Sequence, residues 1–213
     1  MTDRNKKTFY KNQAESIIGK LKLRKMEGYY ADTADEAVQK AMELIGTAPK
    51  SVAYGGSMTI DDSGIKDRIR EKGHELIVRE DYKTEEEMRR LKAKMINADV
   101  FLMSTNAITL DGELINIDGR GNRVSFLIYG PETVIIIAGM NKVVKDVSAG
   151  IDRTRNMASP PNTVRLNRDT PCAKYGRCGD CLENTICCEE VITRCSMIPG
   201  RIKVILVGEE LGF

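Results

Sequence analysis

The chain has 213 residues, 41% hydrophobic and 30% charged, which suits one soluble-type domain able to bury a sizeable core. Its 33 Lys and Arg against 31 Asp and Glu leave a formal charge of +2, and it has no Trp, four Phe and seven Tyr. That balance excludes the basic stripe of a nucleic-acid binder and the aromatic platform that stacks single-stranded bases.

Taken in chain order, the first run, DRNKKTFYKN, lacks the apolar segment of a signal peptide. From Lys11 to Met26, Ala14, Ile17, Ile18 and Leu21 recur at i, i+3, i+4 and i+7, which predicts a helix. A second helix is predicted from a Thr33/Glu36 capping box, a stripe of Val38, Ala41, Met42 and Ile45, and a stop at Gly46. A third starts at Thr84 with Glu87 and aligns Met88, Leu91 and Met95. Between them, 51–54, 74–78 and 99–104 read as strands, followed by 113–118, 124–130 and 133–139. The run TVIIIAG (133–139) is apolar without alternation, as in a strand covered on both faces, and is too short to cross a bilayer. Val143, Val147, Ile151 and Thr154 then predict a helix over Val143–Ala158, stopped by Pro160 and Pro161. A last strand covers 201–208. Helices alternating with strands predict an α/β fold: an open, mostly parallel sheet with helices on both faces. The chain then divides, within one domain over 1–213, into N-terminal helices (1–48), a sheet core with ligand loops (49–160), a small Cys-rich excursion (161–200) and the final strand (201–213). A cytoplasmic location is expected.

Two strand-to-helix junctions carry ligand-type residues. In YGGSMT, Gly55 and Gly56 let a ligand approach the backbone, and Ser57 or Thr59 can cap the next helix, whose free N–H groups suit an anion. In GMNKVV, Asn141 can cap and Lys142 adds charge at the helix start. Strand ends in open α/β sheets gather ligands, so both junctions are expected to face one crevice. Between them lies STNAITLDGELINIDGRGNR (104–123). Asp111, Gly112 and Gly119 read as turn chemistry, whereas Asn106, Asn116 and Arg123 neighbour apolar strand residues and need polar partners. With Asp111 and Asn122 they form the candidate ligand set, and Glu113 and Asp118 are the candidates for proton transfer. His74 is the only histidine, and no Ser or Cys motif accompanies it as a hydrolase would require.

All six cysteines fall between 172 and 195. Cys172, Cys178, Cys181 and Cys187 read C-x5-C-x2-C-x5-C, with Cys188 and Cys195 as extras. Four thiolates in a short, glycine-bearing segment can close a zinc site or hold an iron–sulfur cluster, though the spacing matches neither a ferredoxin nor a zinc ribbon. A redox-active thiol pair and small buried residues are the competing readings.

The stretch from Ala98 to Val143, with NAIT-x-DGELINIDG-x-GNR at its centre, resembles the LUD (lactate utilisation) domain family, as do YGGSMT, the TPC–GRCGDC segment and the closing RIKVILVGEELGF. The resemblance implies a fold like ribose-5-phosphate isomerase, the CoA transferases and the initiation-factor-2B-like isomerases, which bind phosphorylated sugars or CoA thioesters at strand ends. It also implies a role in lactate or organic-acid metabolism beside iron–sulfur redox proteins, which favours an iron–sulfur cluster over zinc, and a homo-oligomer. The isomerase motifs and the length of a CoA-transferase pair are missing, so the expectation is binding of a small phosphorylated or CoA-linked anion. The alternative is a redox accessory or metal sensor acting through Cys172–Cys187.

Overall fold

The computed structural model describes residues 4–213. In chain order the elements are α1 (Arg4–Leu23), β1 (Glu27–Ala31), α2 (Ala34–Ile45), β2 (Ser51–Tyr54), α3 (Met58–Asp62), α4 (Ile65–Glu71), β3 (Glu75–Leu76) and α5 (Glu85–Ile96). They continue through β4 (Val100–Met103), β5 (Ala107–Thr109), β6 (Leu114–Asp118), α6 (Val124–Ile128), β7 (Thr133–Gly139), β8 (Val143–Val144), α7 (Val147–Arg153), α8 (Ser159–Arg165), α9 (Pro171–Tyr175), β9 (Glu189–Thr193) and β10 (Ile202–Val207). Six strands form an all-parallel sheet in the order β1-β10-β7-β4-β2-β3, and four form a second sheet, β8-β5-β6-β9. The α/β architecture expected from the alternation of patterns is the one observed.

Side-chain direction alternates along a strand, so one strand feeds two cores. Val134, Ile136 and Ala138 of β7 join Phe101, Met103, Val204 and Leu206 on one face, where α1 adds Ala14, Ile17 and Leu21 and α6 adds Phe126 and Leu127. Ile135 and Ile137 join Val100, Leu102, Ile205 and Val207 on the other, under Ala37, Val38, Ala41 and Ile45 of α2 and Ile60, Ile65 and Ile69 of α3 and α4. That double coverage explains the unbroken apolar run of β7. The capping signals hold in detail: Thr33 accepts from the Glu36 N–H, and Thr84 and Glu87 close a reciprocal box at the start of α5. Gly46 ends α2 at φ 92°, where a side chain is disfavoured. Among the described residues no helix is long and apolar enough to cross a membrane.

Four local expectations are corrected. EGYYA, not read as a strand, is edge strand β1, held in parallel register by β10. VSFLIYG begins as helix α6, because Asp118 Oδ2 accepts the N–H groups of Arg123 and Val124 and so serves the turn that opens it. The helix expected from Val143 starts at Val147: Val143 and Val144 pair with β5 instead, and Asp146 caps α7 through the Ala149 N–H. Pro160 and Pro161 do not end the helical region. They sit in the first turn of α8, after a π-helical turn over Thr154–Ala158, where a missing N–H costs little. The cysteine segment is tied into the fold by β9, which pairs antiparallel with β6. His74, just beyond the end of α4, is buried.

Candidate functional site

A cavity of about 890 Å³ opens where β2, β4 and β6 end. Its walls come from the loop after β2 (Gly56–Thr59), the residues after β4 (Ser104–Asn106), and the end of β6 with the loop behind it. Lys142 after β7, α8 with the segment to Asp169, and Asn184–Ile186 of the cysteine segment complete it. The polar framework is built across strands. Asn106 Oδ1 accepts the Ile117 N–H at 3.1 Å, and Asn116 Oδ1 accepts the Asn106 N–H at 3.4 Å, which locks the chain after β4 onto β6.

Arg123 lies at the centre of one wall. Its Nε donates to Asp118 Oδ1 at 2.8 Å, and its Nη2 donates to Asn106 Oδ1 at 2.9 Å and to the Ile117 carbonyl at 2.8 Å. Asp118 also accepts the Arg123 backbone N–H at 2.6 Å. The side chains are only 12% and 2% exposed, so this is a nearly desolvated ion pair whose polar atoms are met by protein groups. Gly55 makes room for it. A Cβ there would stand 2.7 Å from Arg123 Cγ and 3.2 Å from Phe101 Cζ. Because the guanidinium beyond Cγ is pinned, Gly55→Ala is expected to lower stability by about 1–3 kcal/mol. Urea unfolding measures this; a variant as stable as the parent would mean that Arg123 shifts freely.

Lys142 reaches the cavity floor from the turn after β7. It is 3% exposed, and its Nζ donates to Thr59 Oγ1 at 3.1 Å and Ser104 Oγ at 2.9 Å. Burial first, then the positive charges of Arg153 and Arg123, push its pKa down to about 7. Arg153 stands behind the wall, donating from Nη1 to the Asn106 carbonyl at 2.6 Å and from Nε to the Asn141 carbonyl at 3.1 Å.

The structure brings Gly56, Ser57, Thr59, Asn106, Asp118, Asn122, Arg123 and Lys142 to one cavity, with Gly55 packed behind Arg123. It separates the others. Asn116 is fully buried in the supporting framework. Asn141 holds the C-terminal segment, accepting the Leu211 N–H at 3.2 Å. Asp111 and Glu113 sit at the opposite end of β6 from Asp118 and clasp the end of α1: Asp111 pairs with Lys20 at 3.1 Å and Glu113 with Arg24 at 3.3 Å. Glu113 is thus engaged away from the cavity, which corrects its candidacy for proton transfer there. Asp118 is in place, but its oxygens already accept from Arg123 and Val124. Sequence reasoning missed Ser104, Arg79, Arg153, Arg165 and Arg168. For the last two the signal was RLNRD, two arginines in a polar segment just beyond the paired prolines.

Part of the cysteine segment, Asn184–Ile186, borders this cavity, whereas Cys195 lines a separate groove. Cys172 is buried, with Sγ 3.4 Å from Thr163 Oγ1 and 3.2 Å from Thr170 Oγ1. Cys187 Sγ donates to Ser159 Oγ at 3.4 Å. Burial pushes the Cys187 thiol up, the Ser159 bond pulls it down, and the nearby Cys172, Cys178 and Cys181 push it further up. The other three sulfurs of the expected ligand set thus lie near enough to bear on Cys187. Among the described residues, however, no three His, Cys, Asp or Glu side chains converge as a metal-holding group, and all six thiols are free. The iron–sulfur or zinc set expected from the spacing is thus not assembled as a closed set among the described residues.

Comparison with known proteins gives three findings. The LUD domain description matches residues 14–207. No curated protein matches significantly. Among solved structures, a DUF162 family protein from Deinococcus radiodurans is similar at 15% identity and a TM-score of 0.49, over 94% of this chain and 98% of that one.

Proposed function

This chain belongs to the LUD domain family, and from that premise we propose that it serves lactate or organic-acid metabolism by binding a small anionic metabolite, carboxylated, phosphorylated or CoA-linked, in the strand-end cavity. One observation carries the reading. Six basic side chains line the cavity (Arg79, Arg120, Arg123, Lys142, Arg165, Arg168) against two acidic ones, Asp118 and Asp169. Both acids are already paired, Asp118 with Arg123 and Asp169 with Lys174 at 2.6 Å. A concave site walled by such an excess of guanidinium groups focuses positive potential on a ligand, and guanidinium matches carboxylate and phosphate geometry. Neither a nucleic acid nor a membrane is needed as a partner.

In this reading Asp118 is a positioning residue. It holds the Arg123 guanidinium toward the cavity, and its saturated oxygens are poorly placed to take a proton from a ligand. Asn106 fixes the same guanidinium from the other side. Arg165 is steadied by Asn162 Oδ1, which accepts from its Nη2 at 2.8 Å.

Calorimetric titration with inorganic phosphate, L-lactate and CoA tests the proposal. At least one is expected to bind saturably, to bind more weakly as salt is raised, and to lose about ten- to hundredfold in affinity in Arg168→Ala, one lost charge-assisted contact being worth about 1.5–3 kcal/mol. No saturable binding of any of the three, or binding untouched in both Arg168→Ala and Arg165→Ala, would overturn it.

A further inference from the structure

We propose that Lys142 is a nucleophilic amine that forms an imine with the carbonyl carbon of an anionic ketone or aldehyde held in the cavity. The inference rests on the anion-binding reading and names the substrate class for it.

The surroundings of Lys142 are unlike those of a structural lysine. Buried lysines are rare and normally sit against a carboxylate. Lys142 is nine-tenths or more buried, yet among the described residues it joins no ion pair, and its Nζ touches two neutral hydroxyls. The charged groups that bear on it, Arg123 from the wall after β6 and Arg153 from α7, are both cations. The one carboxylate on that wall, Asp118, is taken up by Arg123. Desolvation beside other cations is the device that keeps an amine neutral and reactive near neutral pH. It is a poor device for adding positive charge, and the arginines of the cavity already supply that. Lys142 therefore contributes what the arginines cannot, an amine lone pair in the wall of the cavity that holds the anion.

The chemistry closes without an oxidant or reductant. The Nζ lone pair attacks the carbonyl carbon, a C–N bond forms, and the C=O π pair moves to oxygen, which takes a proton. The oxygen's proton comes from the amine, and the resulting carbinolamine loses its hydroxyl as water with the one hydrogen left on nitrogen, leaving C=N. Thr59 and Ser104, both on the cavity wall and both hydrogen-bonded to Nζ, are the hydroxyls placed to pass the protons. The carboxylate or phosphate of the substrate stays on the arginines, so the carbonyl is presented by a fixed anchor.

Borohydride trapping tests this on the intact chain. The protein is incubated with pyruvate or dihydroxyacetone phosphate, reduced with sodium borohydride, and mapped by peptide mass spectrometry; phosphate binding is measured on the same sample by calorimetry. The expected result is a reduced adduct on Lys142 at least tenfold above that on any exposed lysine, saturating with ketone, suppressed by inorganic phosphate, and absent from that position in Lys142→Met. Labelling by pyruvate alone assigns a carboxylate anchor, and labelling by dihydroxyacetone phosphate alone assigns a phosphate anchor. Phosphate binding without a Lys142 adduct from either ketone, or an adduct spread evenly over exposed lysines, overturns the imine and leaves the anion reading standing. Absence of all binding overturns both.

Discussion

Lys142→Met is expected to make the protein more stable by about 3 kcal/mol at pH 6. The sign follows from the depressed pKa. In the folded chain the amine titrates at about 7, and the ordinary lysine value is 10.5. Below about 7 both states carry the proton, and the folded state bears the full cost of a buried charge. Between about 7 and 10.5 the unfolded chain holds more protons, so the stability of the parent protein rises with pH. Above that window the cost has gone. The shift corresponds to roughly 3–5 kcal/mol, reduced by about 1 kcal/mol for the hydrogen bonds that Thr59 and Ser104 lose. Both hydroxyls keep another acceptor, the Leu211 and Thr105 carbonyls. Urea unfolding at pH 6, 8 and 9 measures the effect. The variant should lead at pH 6, and the gap should narrow as pH rises. Equal stabilities at pH 6, or parallel pH slopes, would mean that the amine is not held in a desolvated, cation-flanked place. A residue whose removal stabilises the fold is one kept for function.

The second large effect runs the other way. Arg123→Met should cost about 3–5 kcal/mol, because it strands Asp118, 2% exposed, as a buried charge without its partner. It also strips a donor from Asn106 and from the Ile117 carbonyl. Adding Asp118→Asn should recover much of that loss, since an amide oxygen can still accept the backbone N–H groups of Arg123 and Val124. Stability recovers in the double variant, but anion affinity should not, because the guanidinium that faces the ligand is missing. A double-mutant cycle by urea unfolding, with phosphate titration on each variant, separates the two roles. A loss under 1 kcal/mol in the single variant would show that water reaches the pair.

The candidate site shows where local sequence is a guide to function and where it fails. NAIT-x-DGELINIDG-x-GNR could be read as ligand-bearing, and Asn106, Asp118, Asn122 and Arg123 do line the cavity. Its two acidic ends could not be told apart, because Glu113 and Asp118 lie on one strand and only the fold decides which end of β6 faces a ligand. Glu113 meets Arg24, which is distant in sequence, and Asp118 meets Arg123. Arg153, Arg165 and Arg168 could not be placed either, since the bends that bring α7, α8 and the segment beyond to the cavity depend on a π-helical turn that periodicity does not reveal.

What this sequence determined by itself was the class of fold and the ends of its longer helices. Binary patterning and capping act within a few residues, so the Thr33 and Thr84 caps and the apolar run of β7 carried their meaning locally. What only the tertiary structure decided was the state of the charged groups. A lysine at 142 is unremarkable as a letter. It becomes an amine of depressed basicity because strands separated by long stretches of chain bury it, surround it with hydroxyls and cations, and commit the nearby carboxylate to another partner. Desolvation and Coulomb interaction depend on distance through space, which no spacing along the chain records.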